Sequence, residues 1–315
     1  MACLSTLAAR AAWCRRKPET EPVSRAVTPF VLEVCGLGLS GLRAEPRTGS
    51  ALATILALPG GGYGSGYWHH PLALDASLLT LGATLGYRVV AIDRPGYLAS
   101  ARAGYDGMLL ADQAELLATA LNSLAAAPGC DRVTFLVGHS MGGILALMIA
   151  ALGRTPSLLG VDVSGVPYRF SNDLAGAVAH ELGEGSGSTK ASAARLFYGP
   201  SGTFRDGLLR GRDVAAHPLP LVELRDAFDW PERFPRVAGA ITAPVQFSLG
   251  EHDLTTPADP DTLRDVAKLF TASPRVDTHH QRGAGHNVSL HHVGRAYHLR
   301  ALAFFDEILA SRPES

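Results

Sequence analysis

No run of about 18 consecutive apolar residues occurs in this chain, so no helix read from it can span a bilayer. An excess of charge is also missing. Lys and Arg number 28 against 29 Asp and Glu, a formal charge of −1, which gives neither nucleic acid nor an anionic membrane surface an electrostatic reason to bind. Cysteine is scarce: Cys3, Cys14, Cys35 and Cys130 are scattered without disulfide or metal spacing, a usage that suits a reduced, cytoplasmic environment. The zinc pattern H-E-x-x-H is absent, and His180-Glu181-Leu182-Gly183-Glu184, which comes nearest, has Glu where the second ligand belongs. No catalytic metal and no organic cofactor are expected. In residues 60–70 no register satisfies G-x-G-x-x-G, and no Gly-Lys-Ser/Thr follows, which excludes the dinucleotide and phosphate loops. Residues 1–28 lack a basic segment ahead of their apolar stretch, which Arg10 interrupts and Arg15-Arg16-Lys17 follows. They read as a flexible extension instead of a secretion leader.

Against these absences, Gly138-His139-Ser140-Met141-Gly142 carries the most information. G-x-S-x-G arises by chance in a chain with 34 glycines; its context gives it meaning. An apolar run at 133–137 precedes it and a helix-forming run at 144–152 follows, which is the strand-turn-helix setting of a nucleophile elbow. A sharp turn lifts the serine hydroxyl out of the backbone, and the helix start faces the negative charge that develops there. Two later segments supply partners. The strand at 245–249 runs into Gly250-Glu251-His252-Asp253, and Gly283-Ala284-Gly285-His286-Asn287 places a glycine-flanked histidine on a loop.

The order Ser, Asp, His and these motifs together resemble the α/β-hydrolase superfamily, from about residue 30 to the C-terminal helix. The resemblance implies a mostly parallel central sheet of about eight strands flanked by helices, with Ser140 as nucleophile, His286 as general base and Asp253 as its orienting acid. Imidazole titrates near neutrality, which suits His286 to that role. His252, His279, His280, His291, His292 and His298 compete with it; His279 and His280 fall in a strand, and the last three in a helical region where exposed or capping positions are expected. Asp162, after the preceding strand, is the second candidate for the acid, and Glu251 is expected to face solvent. The oxyanion donors are expected in the turn that follows the strand at 51–57, where Pro59 stands in place of a frequent His. The backbone amides of Gly61 and Met141 are favoured, with Gly62 the alternative. Gly62, Tyr67, Trp68 and His139 are expected to contact substrate. Asp93-Arg94-Pro95-Gly96, at the end of the strand at 88–92, resembles a segment common in these hydrolases and is expected to brace loops near the site.

Strands alternate with helical patterns, as a mostly parallel sheet requires. The rhythm breaks at 167–240, far too long for an ordinary connection of about 2–6 residues. An inserted helical cap accounts for it, with Gly-Ser-rich residues 183–188 permitting opening, and leaves residues 29–166 and 241–315 as the core. The activity expected is hydrolysis of a small-molecule carboxylic ester or thioester through an acyl-enzyme. The alternatives are an acyltransferase or thioesterase-like cyclase with a non-water acceptor on the same triad and, from another class, a ligand-binding pseudoenzyme. Asp at the elbow would have pointed to epoxide or haloalkane chemistry; Ser140 points away from it.

Overall fold

β3 (Thr54–Leu58), β5 (Thr134–His139) and β7 (Val245–Gly250) are buried at every position. Helices cover both faces of the sheet at these strands, so β3 and β5 read as near-continuous apolar runs, while β7 alternates and buries Gln246 against Asp162. The computed structural model describes residues 27–312 except 48, 102–106, 129–131, 184–189, 206 and 209–216. The extension expected at 1–28 therefore lies almost wholly outside the described residues, as do most of the Gly-Ser-rich residues, Cys3, Cys14 and Cys130.

Eight strands form one sheet in the order β1-β2-β4-β3-β5-β6-β7-β8. β1 (Val27–Val34) pairs antiparallel with β2 (Leu37–Ala44), and β2 antiparallel with β4 (Arg88–Ile92). From β4 onward every pairing is parallel, through β6 (Leu158–Ser164) to β8 (Val276–Gln281). On one face α2 (Leu110–Ala126) and α3 (Met141–Ala151) share an apolar cluster with the sheet; on the other, α1 (Leu78–Thr84) and α9 (Gly294–Ala310) do so. Ahead of α1 the chain forms a separate 3-10 piece, Pro71–Ala76. Ser77 ends it, and its hydroxyl accepts the Thr80 amide at 3.1 Å to start α1, the usual work of an N-cap serine.

Between β6 and β7 lie α4 (Asn172–Glu181), α5 (Lys190–Tyr198), α6 (Leu221–Asp226) and α7 (Trp230–Gly239). The last differs from its neighbours. Trp230, Phe234 and Ala238 recur every four residues, are fully buried and join the cluster that holds α3 and β7; helical spacing puts them on one stripe that faces the sheet. By packing, α7 belongs with the sheet layer. α8 (Pro260–Leu269) joins that layer through Leu263 and Val266. No described helix is long and apolar enough to cross a membrane.

Candidate active site

Ser140 sits between the end of β5 and the first residue of α3 with φ 52° and ψ −118°, a conformation rare for a residue with a side chain. Two things hold it there. Its amide donates to the Ser164 carbonyl at 2.8 Å, and its carbonyl accepts the Ile144 amide at 2.9 Å, the first hydrogen bond of α3. The flanking glycines are required by space. A Cβ at Gly142 would lie 2.1 Å from the Leu58 carbonyl oxygen, and one at Gly138 would lie 2.5 Å from that of Gly142. The turn is tight enough to raise the hydroxyl clear of the backbone and to put it at the helix N-terminus.

His286 reaches this hydroxyl: Nε2 lies 2.9 Å from Ser140 Oγ. On its other side Nδ1 lies 3.0 Å from Asp253 Oδ2. A carboxylate only accepts, so Nδ1 carries the proton and Nε2 is left to accept from the serine. The second Asp253 oxygen accepts the Thr255 amide at 2.9 Å and its hydroxyl at 2.7 Å. Burial alone would push the Asp253 carboxyl up, but electrostatic attraction to His286 and the hydrogen bonds from His286 and Thr255 hold it below the ordinary carboxylate range. Asp162, the other candidate acid, is engaged elsewhere. It accepts from Gln246 Nε2 and Tyr297 Oη, both at 2.7 Å, and burial pushes its carboxyl up to about 6. Glu251 is exposed and accepts the Gly283 amide at 2.9 Å, which ties the acid loop to the base loop.

The other histidines are not free at the surface as a group. His291 and His298, expected at exposed or capping positions, are buried. His291 Nε2 accepts the Gly285 amide at 3.0 Å, directly beside His286, so it steadies the loop that carries His286. The spacing of five residues from His286 gave no hint of this, because the contact depends on the loop folding back on itself.

The glycine turn after β3 faces the serine. A Cβ built on Gly60 would lie 3.2 Å from Ser140 Cβ, and the Gly61 and Met141 residues are neighbours on the cavity wall. The Gly62 amide points instead toward the Tyr97 hydroxyl at 3.4 Å, which makes it the poorer oxyanion candidate. Arg94 braces the turn: Nε donates to the Pro59 carbonyl at 3.0 Å and a terminal nitrogen to the Gly60 carbonyl at 3.2 Å. Asp93 accepts the Ser65 amide at 2.7 Å and the Ser40 hydroxyl at 2.6 Å.

A cavity of about 490 Å³ opens over Ser140. Its inner wall is Met141, Ile144 and the glycine turn; its outer wall comes from 167–228, chiefly Phe170, Leu174, Val178, Phe197, Leu224 and Phe228. His139 borders it. Its Nε2 bonds Asn287 Oδ1 at 3.2 Å and its Nδ1 the Ser164 hydroxyl at 3.1 Å, and burial, with repulsion from a protonated His286 added, pushes it down to about 3. Tyr67 and Trp68, expected on the substrate wall, are corrected: both are fully buried in the layer behind the site, with Tyr67 stacked on His139 at 4.8 Å. The 3-10 segment Ser65–His69 turns them inward. Tyr63, its hydroxyl bonded to that of Tyr198, takes the place on the wall. Among the described residues no group of His, Cys, Asp or Glu could hold a metal ion.

Comparison with known proteins agrees in fold. The sequence profile described as the alpha/beta hydrolase family matches residues 55–297. No curated protein sequence matches significantly. Among solved structures, a candidate lipase, lip1 of Acinetobacter baumannii AYE, superposes with TM-score 0.68 at 16% identity over 91% of this chain and 93% of that one. The monoacylglycerol lipase of Paleococcus ferrophilus gives TM-score 0.61 at 21% identity over 85% and 98%. A highly thermostable carboxyl esterase from Bacillus coagulans gives 0.61 at 16% identity over 90% and 99%.

Proposed function

The chain belongs to the alpha/beta hydrolase family, and from that premise we propose that it is a serine hydrolase that cleaves a carboxylic ester or thioester through an acyl-enzyme at Ser140. The observation that carries the proposal is the unbroken hydrogen-bonded row from Ser140 through His286 to Asp253 at the floor of a largely apolar cavity. His286 takes the hydroxyl proton as Ser140 Oγ attacks the acyl carbon, and the imidazolium formed is stabilised by Asp253. The carbonyl oxygen becomes an oxyanion held by the amides of Gly61 and Met141, donors fixed before the charge appears. Collapse expels the alcohol or thiol, which leaves with the His286 proton. Water then donates a proton to His286, attacks the acyl carbon and releases the acid, and Ser140 regains its proton.

Residues from 167 to about 229 act in this reading as a cap that shapes selectivity, because they supply the apolar outer wall and ligand sites are mostly apolar with few polar anchors. The substrate is therefore a small molecule with an apolar portion of moderate to large size. Neighbours named as a lipase and an esterase are consistent with that bond class. Exposed, unpaired Cys35 suits a reducing, cytoplasmic setting.

The test is labelling by a fluorophosphonate together with turnover of acyl esters and thioesters of graded length, with and without alcohol acceptors. Labelling and turnover are expected in the wild type and neither in Ser140→Ala. Equal turnover in Ser140→Ala would remove the serine mechanism. Alcoholysis faster than hydrolysis would move the activity to acyl transfer.

A further inference from the structure

We propose that Glu223, on the inserted helix α6, is a positioning residue of the reaction, acting through Arg94 to set the glycine turn that carries the Gly61 amide. The inference rests on the serine-hydrolase reading above and adds a part to it: a segment that walls the pocket also assembles the oxyanion site.

Arg94 and Glu223 form an ion pair at 2.6 Å with neither side chain exposed to solvent. A buried pair is a weak source of stability, since desolvation offsets much of the attraction. Its geometry gives it another use. Arg94 also donates to the Pro59 and Gly60 carbonyls at 3.0 and 3.2 Å and to Gln113 Oε1 at 3.3 Å. The two carbonyls belong to the residues immediately before Gly61, so fixing them fixes the peptide plane whose N–H is Gly61's. Glu223 in turn accepts from Gln113 Nε2 at 3.2 Å and from the Tyr97 hydroxyl at 3.3 Å. That same hydroxyl lies 3.4 Å from the Gly62 amide, so a second connection runs from Glu223 to the turn. The His217 amide, from the same inserted stretch, donates to the Gly62 carbonyl at 2.7 Å. Pro59, Gly60 and Gly62, the residues on either side of Gly61, are thus held, directly or through one side chain, by groups from 217–223. The α6 end of the insertion is anchored independently too: Asp226 accepts the Leu110 amide at 2.7 Å, at the start of α2 where the helix's own N-cap residue supplies no side chain. α6 is a fixed part of the site.

A donor that turns away from the oxyanion loses its effect on the transition state while leaving ground-state binding alone. Glu223→Gln removes the charge that orders Arg94. Tyr97→Phe cuts the second connection with the ion pair kept, and Arg94→Met with Glu223→Met removes both charges and both carbonyl contacts at once. The readouts are kcat and KM for a short activated ester, the affinity of an alkyl boronic acid that forms a tetrahedral adduct on serine, the affinity of an aliphatic alcohol as ground-state analogue, and the melting midpoint. Glu223→Gln is expected to lower kcat by about tenfold to 100-fold with KM within about twofold, and boronate affinity by a similar factor with alcohol affinity unchanged. Tyr97→Phe is expected to show the same split on a smaller scale. The double variant is expected to recover melting midpoint relative to either single change without recovering kcat. Recovery of kcat along with the midpoint would make the pair structural only and overturn the inference, as would boronate affinities unchanged in Tyr97→Phe and in whichever charge variants fold. A wild type that fails to react with fluorophosphonate would instead overturn the serine-hydrolase reading, so the two failures are distinguishable.

Discussion

The turn at the end of β5 and the inserted stretch between β6 and α7 both touch the substrate cavity, yet they are held in opposite ways. The turn is held by backbone: strand pairing on both sides of β5, the Ser140 amide on Ser164, and van der Waals contact too close for any Cβ at 138 or 142. The inserted stretch is held by separate clips, each on a different catalytic loop. Ser171 bonds Leu254 and Thr255 on the acid loop, the Phe197 carbonyl accepts the Asn287 amide on the base loop at 3.1 Å, and Glu223 with His217 holds the glycine turn. A backbone-built site tolerates almost no change of position, whereas clipped segments can vary in their pocket-facing side chains as long as the clips survive. In the proposed reading, chemistry and selectivity thereby fall to different parts of one cavity.

The comparison is broken most severely by the carboxylates. Asp253 lies just past the end of β7 and Asp162 inside the neighbouring β6, and only the first meets His286. Asp253→Asn is expected to cost about 10⁴-fold in kcat, because the amide stabilises the wrong imidazole tautomer. Asp162→Asn is expected to change kcat by less than about tenfold. Turnover of a short activated ester checks both, and a larger loss in Asp162→Asn than in Asp253→Asn would reverse the assignment.

A smaller effect sharpens the contrast between the two walls of the cavity. Val178 on α4 and Ile144 on α3 both line it. Val178→Phe fills space on the clipped side and is expected to lower turnover of long-chain esters by tenfold or more, the scale at which pocket volume discriminates. Acetate ester turnover is expected to stay within about twofold. Ile144→Ala, on the backbone-built side, is expected to cost about 2–5 kcal/mol of stability, read as a lower denaturant midpoint. If Val178→Phe slowed acetate and long-chain esters alike, α4 would serve stability and not selectivity.

What the sequence made legible follows the same division. The alternation of strands and helices, the elbow and the segments that carry its partners could be read because apolar runs, glycines at fixed offsets and chain order constrain the backbone. Side-chain direction could not. Tyr67 and Trp68 follow the glycine turn, and only the 3-10 twist of Ser65–His69 decides that they point behind His139 instead of into the cavity. His291 lay in a region read as exposed because nothing in its neighbours announces a loop that returns to Gly285. Glu223 lacks any local signal: its partners Arg94 and Gln113 are more than 100 residues away, and a charged residue in a short helix reads as solvated until the fold buries it. Likewise α7 sits at the edge of a stretch with no strands, and its buried stripe of Trp230, Phe234 and Ala238 belongs to the core only once β7 is in place.

The smallest effect is on pH, and it sets the buried histidines against the buried carboxylate. Burial pushes His291 and His298 down to about 4, and burial with His286 repulsion pushes His139 down to about 3, each from an ordinary 6.5. A histidine whose folded value is depressed contributes stability that is present above its unfolded value and is lost as pH falls toward the folded one. Acidification from about 6.5 to about 4 therefore weakens the fold at three sites. Asp162 acts in the other direction: raised by burial from 3.8 to about 6, it costs stability at neutral pH and returns it as pH falls from about 6 to about 4. Three histidines outweigh one carboxylate, so the melting midpoint is expected to fall on acidification through this window, less steeply than the histidines alone would give. Asp162→Asn removes the opposing contribution and is expected to steepen the fall, and His298→Gln to flatten it, in midpoints measured from pH 4 to 8. A wild-type midpoint that rises on acidification, or an Asp162→Asn variant with a shallower fall than the wild type, would show that these buried groups do not titrate as their surroundings dictate.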